Sequence, residues 1–129
     1  MMTGRVNRKR QPRLRIRVRG LDRRSRLISA IVDTGYDGFL TLPLKTIGHL
    51  KLGRFGYGWA TLADDSRHQF DAYRAEVEWN GRWRRVTIAG CGSVPCIGMR
   101  LLDGFELQLQ GRIGGQLTIE IDGPTTTGS

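Results

Sequence analysis

Cysteine is scarce in this sequence, and with only Cys91 and Cys96 a disulfide framework is not the expectation. The two stand five apart in a Gly- and Pro-rich stretch, a spacing that matches neither a redox pair nor the paired ligands of a zinc site, so they read as ordinary reduced thiols. Histidine is equally sparse, and His49 and His68 fall into no metal-ligand spacing with them; no metal and no other cofactor is expected. Long apolar runs are missing too. The stretch Leu27 to Val32 is interrupted by Ser29 and is far too short to cross a bilayer, and no apolar block follows the basic first residues as a secretory leader requires. Acids are absent from the first twenty residues, as in organelle transit peptides, but the apolar residues there alternate as in a strand and serine is missing. The expectation is a soluble, cytoplasmic protein. Its 129 residues suffice for one domain with a hydrophobic core of its own.

What the sequence has in plenty is positive charge, unevenly placed. Residues 1 to 26 hold eleven of the twenty-one Lys and Arg and a single acid, Asp22, whereas the rest of the chain is close to neutral. Such a segment suits nucleic acid, an anionic membrane surface or an acidic protein, and equally a solvated tail. Residues 1–12 are polar and basic and contain Pro12, so they read as a flexible basic arm, with order beginning at Arg13. Residues 13–122 read as the folded domain and 123–129 as a disordered tail.

Inside the domain the signals are those of short strands. Leu14 to Arg19 alternates apolar residues with arginine, the period of a strand with one buried and one charged face. After a polar turn, Leu27 to Val32 forms a second apolar run that should pair with the first as a hairpin. Phe39 to Leu42 reads as a strand stopped by Pro43, and Leu44 to Leu50 as one or two helical turns. Tyr57 to Leu62 and Arg67 to Tyr73 flank the polar turn Ala63-Asp64-Asp65-Ser66; Ala75 to Trp79 and Trp83 to Ile88 flank Asn80-Gly81, the strongest hairpin signal present. A helical turn near Gly98 to Leu102 and strands at Phe105 to Leu109 and Gln116 to Ile121 complete the pattern. Many short strands, close turn signals and eighteen glycines predict an all-β barrel or sandwich with one or two short helices.

Asp33-Thr34-Gly35 alone is weak evidence, since an aspartate-initiated turn after a strand is common. In context, Ala30-Ile31-Val32-Asp33-Thr34-Gly35 followed by Phe39-Leu40-Thr41-Leu42-Pro43 resembles the active-site loop of retropepsin-like aspartic proteases. The segment from Pro95 through Ile97-Gly98 to Gly104 resembles the apolar-apolar-glycine element and short helix near the end of that fold, and the hairpin around Thr61 to Arg67 falls where the family carries its flap. The resemblance covers Arg13 to about Ile121. It is nearest to small single-domain prokaryotic members, because one Asp-Thr-Gly is present and no second lobe supplies another.

This resemblance implies an aspartic endopeptidase acting on a protein or peptide. Hydrolysis by this class needs one ionised and one protonated carboxylate around a water, so a homodimer must bring Asp33 of two chains together. Thr34 is then expected to brace the two loops across the axis, or, as the alternative, to bond within its own loop. Gly35 lets the backbone approach substrate. Tyr36, Asp37, Thr61, Leu62, Ala63 and Asp64 are the implied substrate-binding positions, while Ile97, Gly98 and Arg100 support the active-site loop. Tyr36, Arg100 and the acidic flap tip depart from the usual pattern; Arg100 either pairs with Asp37 or faces solvent. Two other readings stand beside this one: a nucleic-acid-binding barrel using the basic segment and the aromatics Tyr57, Trp59, Trp79 and Trp83, and an inactive binding module on the same fold.

Overall fold

The computed structural model describes residues 1–61 and 64–123 of the chain. Its central hairpin is β2 (Pro12–Arg19) with β3 (Ser25–Val32), paired from Arg13↔Ile31 to Arg19↔Ser25. Alternation dictates its faces: Leu14, Ile16 and Val18 are buried, and Arg15 and Arg17 between them are exposed. Short β4 (Leu40–Leu42) leads through Pro43 into α1 (Leu44–Leu50), which ends where Lys51 turns left-handed at φ 52°. Next comes a meander of β5 (Gly53–Thr61), β6 (Arg67–Trp79) and β7 (Arg82–Gly90). Asn80 and Gly81 both take positive φ at the β6–β7 corner, the two-residue turn expected of that dipeptide. The two strands expected on either side of Arg74 are one, because Tyr73, Arg74 and Ala75 all stay in register with β7. The chain continues through β8 (Cys96–Ile97), α2 (Met99–Leu102), β9 (Phe105–Leu109) and β10 (Gln116–Ile121).

One sheet contains all ten strands of the described residues, and a further pairing of β2 with β6 closes β6, β7, β4, β8, β3 and β2 into a ring. Side chains pointing into that ring form the core, with Val18, Leu40, Leu42, Val77, Ile88, Ile97 and Leu101 fully buried. Among the described residues no helix is long and apolar enough to cross a membrane.

The start of the chain departs from the flexible arm expected of residues 1–12. Met2–Val6 is a strand, β1, paired with β10 from Met2↔Ile119 to Arg5↔Gln116 and with β2 at Arg5↔Arg13 and Val6↔Pro12. Val6 is buried and Met2 packs on the core, so this segment does have apolar surface to bury. Gly4 is needed for the fit: a Cβ there would sit 2.0 Å from the carbonyl oxygen of Arg13. Of the tail expected at 123–129, residues 124–129 lie outside the described residues.

Candidate active site

The surroundings of Asp33 follow from one feature of the sheet. Strand β3 delivers the chain to Asp33 and β4 takes it back, yet the two are not neighbours: β8 is slotted between them, parallel to β3 and antiparallel to β4. The loop from Asp33 to Phe39 therefore spans a gap held open by another strand. Its backbone is tied to the insert at four points: Asp33 N–H donates to the Ile97 carbonyl at 2.9 Å, Gly98 N–H to Phe39 at 3.0 Å, Met99 N–H to Tyr36 at 2.7 Å and Arg100 N–H to Gly38 at 3.1 Å. Cys96 N–H donates to Thr41 Oγ1 at 3.1 Å, which satisfies the buried threonine of β4.

Gly98 makes the junction possible. A Cβ there would lie 2.2 Å from the Gly38 carbonyl oxygen and 2.9 Å from that of Tyr36, closer than backbone atoms tolerate. Ile97 beside it is fully buried beneath the loop.

Asp33, Thr34 and Gly35 themselves are exposed. Asp33 Oδ1 accepts the Gly35 N–H at 2.9 Å, an aspartate turn that fixes one carboxylate oxygen. No ion pair ties it among the described residues. Thr34 makes no side-chain hydrogen bond to another described residue, so the local bond considered for it does not form. Tyr36 folds back against Gly38 and Gly98, and burial, reinforced by nearby Cys91, Asp37 and Cys96, pushes its phenol up to about 12. Burial likewise raises the thiols of Cys91 and Cys96, both unbridged.

Beside this loop lies a cleft of about 320 Å³, lined by Tyr36, Asp37, Gly38, Phe39 and Arg100 below, Trp59, Ala60 and Phe70 of the β5–β6 hairpin above, and Thr87 and Ala89 of β7. A cleft of about 420 Å³ on the other side of Thr87, around Leu21, Arg74 and Glu76, is larger but holds none of the candidate residues. Of the hairpin positions expected to meet substrate, Thr61 and Asp64 are exposed and do not line the cleft, and Leu62 and Ala63 lie outside the described residues. Asp64 instead caps its own turn, accepting from Ser66 N–H at 3.0 Å and from its hydroxyl, which holds the carboxyl below its ordinary range. Cleft contacts outside the expected substrate positions are the aromatics Phe39, Trp59 and Phe70 together with Gly38, Ala60, Thr87 and Ala89; for Trp59 the alternation of Phe55, Tyr57 and Trp59 along β5 was the available signal.

Arg100 forms no ion pair with Asp37 among the described residues. Its guanidinium stands 5.8 Å from the Phe39 ring centre, and that of Arg84 stands 5.5 Å from the same ring.

No family model and no curated protein matches the chain. Among solved structures it is similar to the EIAV protease complexed with the inhibitor HBY-793, with 19% sequence identity and a TM-score of 0.57, covering 74% of this chain and 88% of that one. The chain has an all-β, retropepsin-like fold.

Proposed function

We propose that the chain is one half of an aspartic endopeptidase of the small single-domain type, completed by a second copy of itself. The observation that carries this reading is the position of Asp33: an exposed carboxylate on a loop locked to β8 and α2, whose following residues Tyr36 to Phe39, though not Asp33 itself, line a cleft shared with the β5–β6 hairpin. One carboxylate cannot both take a proton from water and donate one to the scissile carbonyl. A two-fold dimer supplies the second Asp33, and two such groups at close range share a single proton. The ionised one takes a proton from water as the water oxygen bonds to the carbonyl carbon, and the protonated one gives its proton to the carbonyl oxygen. Collapse of the tetrahedral diol breaks the C–N bond: the carboxyl that took the water's proton gives it to the leaving amine nitrogen, a diol hydroxyl returns its proton to the other carboxylate as the C=O forms, and the pair is again singly protonated.

Thr34 would brace the two loops across the axis, which its exposed, locally unbonded hydroxyl supports. Gly35 gives the bound peptide room, and Ile97 and Gly98 hold the loop. The substrate adds as an extended strand between loop and hairpin, with main-chain hydrogen bonds supplying affinity. Tyr36, Asp37, Phe39, Trp59 and Phe70 then form a largely aromatic pocket that favours apolar side chains. Thr61, Leu62, Ala63 and Asp64 would contact substrate only on closure of the hairpin. Two unbridged thiols support a reducing, cytoplasmic setting.

The test is incubation of wild type and Asp33→Asn with a diverse peptide library from acidic to neutral pH. Cleavage by wild type, reduced at least ~100-fold in Asp33→Asn, is the expected result. Equal inertness of both proteins, each shown to be dimeric, would replace the enzyme with a binding module.

A further inference from the structure

The proposed reaction makes no use of the surface that holds most of the excess charge. Its arginines are not on a trailing arm. They sit on ordered strands, on one face, and in a loop built to hold its shape. In β2 the outward residues are Arg13, Arg15, Arg17 and Arg19, which strand geometry spaces at about 6.8 Å. Arg5 of β1 stands directly across from Arg13. Like charges opposed in this way destabilise a sheet, and an anion bound between them would relieve that repulsion.

The β1–β2 loop adds Arg8, Lys9 and Arg10, all exposed. Asn7 organises it: its side-chain oxygen accepts from Lys9 N–H at 3.0 Å and Gln11 N–H at 2.9 Å, its amide donates to Gln11 Oε1 at 3.0 Å, and Arg10 N–H donates to its carbonyl at 3.0 Å. Arg10 takes a left-handed φ of 61°. The backbone that carries these cations is therefore ordered before any ligand arrives, which lowers the entropy lost on binding.

Neutralisation is confined to one end of the row. Arg19 pairs with Glu76 at 3.2 Å and stacks on Trp83 at 3.8 Å, and Glu78 lies in register with Arg17. Towards β1 the guanidinium groups meet, among the described residues, only neutral acceptors: Arg5 donates to the Gly114 carbonyl, and Arg13 to the Ser29 carbonyl and Gln11 Oε1. Those bonds use a minority of each group's five N–H donors and leave its charge whole. Ser29 faces Arg15 across β3, and Thr118 and Gln116 continue the polar surface on β10.

We infer that this face of β1, β2 and their loop binds the phosphate backbone of a nucleic acid, without reading its bases. Arginine forks suit phosphate oxygens, and regular spacing on a strand suits a repeating polyanion. Base stacking is not part of the site, since among the described residues the aromatic ring stacked on the row, Trp83, is already covered by Arg19. A membrane surface fits less well: of the apolar neighbours in register, Ile31 opposite Arg13 is only partly exposed, and the exposed Leu27 opposite Arg17 lies at the end where Glu76 and Glu78 supply negative charge.

The experiment is fluorescence anisotropy of the full chain with a labelled 20-nucleotide single-stranded RNA and a 20-base-pair DNA duplex, over a salt series. Polyglutamate of equal charge and phosphatidylserine vesicles serve as the other polyanions. Expected is binding to either oligonucleotide with log K falling on log salt at a slope of about −3 or steeper, as four or more phosphate contacts require. Arg15→Glu with Arg17→Glu should weaken it at least tenfold, whereas Arg82→Glu with Arg85→Glu, the same charge change on β7, should stay within about twofold. Circular dichroism checks each fold, and Arg15→Gln with Arg17→Gln replaces any charge reversal that fails to fold. Asp33→Asn should bind as wild type does. Absent binding at low salt, equal losses in the two double variants, or equal or tighter binding of polyglutamate or vesicles would each overturn the inference.

Discussion

From Asp33 to Phe39 the chain is fastened by four backbone hydrogen bonds to β8 and α2, with Gly98 packed against the Gly38 and Tyr36 carbonyls. The β5–β6 hairpin above it has a different construction. It is joined to the barrel through β6 alone, β5 is a free edge of the sheet, and Phe55, Tyr57 and Trp59 are 48, 60 and 53% exposed. Both border one cleft. Under the proposed function the contrast assigns the parts: the group that must hold its geometry is carried on the over-determined loop, and the contacts that must admit and release a peptide are carried on an edge hairpin with exposed aromatic side chains.

That division can be broken from either side. The largest effect is expected at the fastened end, where Gly98→Ala forces a methyl group against two backbone oxygens that cannot move independently. A loss of about 3 kcal/mol is predicted, lowering the thermal midpoint on the order of 10 °C and abolishing cleavage with it. A midpoint within a degree of wild type would mean that the loop is far looser than its hydrogen bonds indicate.

Trp59→Ala tests the other side. Its ring contacts Arg67 at 5.0 Å and the cleft, and it is more than half exposed, so stability should change by less than about 0.5 kcal/mol. Steady-state kinetics with a cleaved peptide should show KM raised about tenfold with kcat nearly kept. A fall in kcat with KM unchanged would move Trp59 from holding substrate to the reacting centre.

The effect confined to the narrowest conditions, absent at neutral pH, concerns Tyr36, which belongs to the fastened side although its ring borders the cleft. Its phenol titrates near 10.0 when unfolded and about 12 when folded, so the native state holds the proton more tightly. The stability this contributes is fully present below the unfolded value and is lost as pH rises through the folded one. Denaturant midpoints of wild type should therefore fall more between pH 9 and pH 12 than those of Tyr36→Phe. Parallel curves would show that the phenol is not buried.

Much of the barrel was legible because its signals are local. The alternation of Leu14 to Arg19, the Asn80-Gly81 corner and the strands Phe105–Leu109 and Gln116–Ile121 are read within a few residues. Strand β1 was not, because its partner β10 lies more than a hundred residues away and its basic composition resembles a tail. The site divides in the same way. Asp33, Gly35 and Gly98 follow from short motifs, but which hairpin residues reach the cleft depends on how β5 and β6 curl over it, and this brings in Trp59 and Phe70 rather than Thr61 and Asp64. The Arg100–Asp37 pair had opposite charge in its favour, yet an aromatic ring with two guanidinium groups over it took up Arg100 instead.

The most direct test of the shared carboxylate pair is subunit mixing. Wild type and Asp33→Asn are unfolded together, refolded at a constant total concentration and assayed against the ratio. If each site draws one Asp33 from each of two chains, activity follows the square of the wild-type fraction and an equal mixture retains about a quarter. A straight line through about one half at equal mixing would show that each chain works alone, and the two-chain site would have to be abandoned.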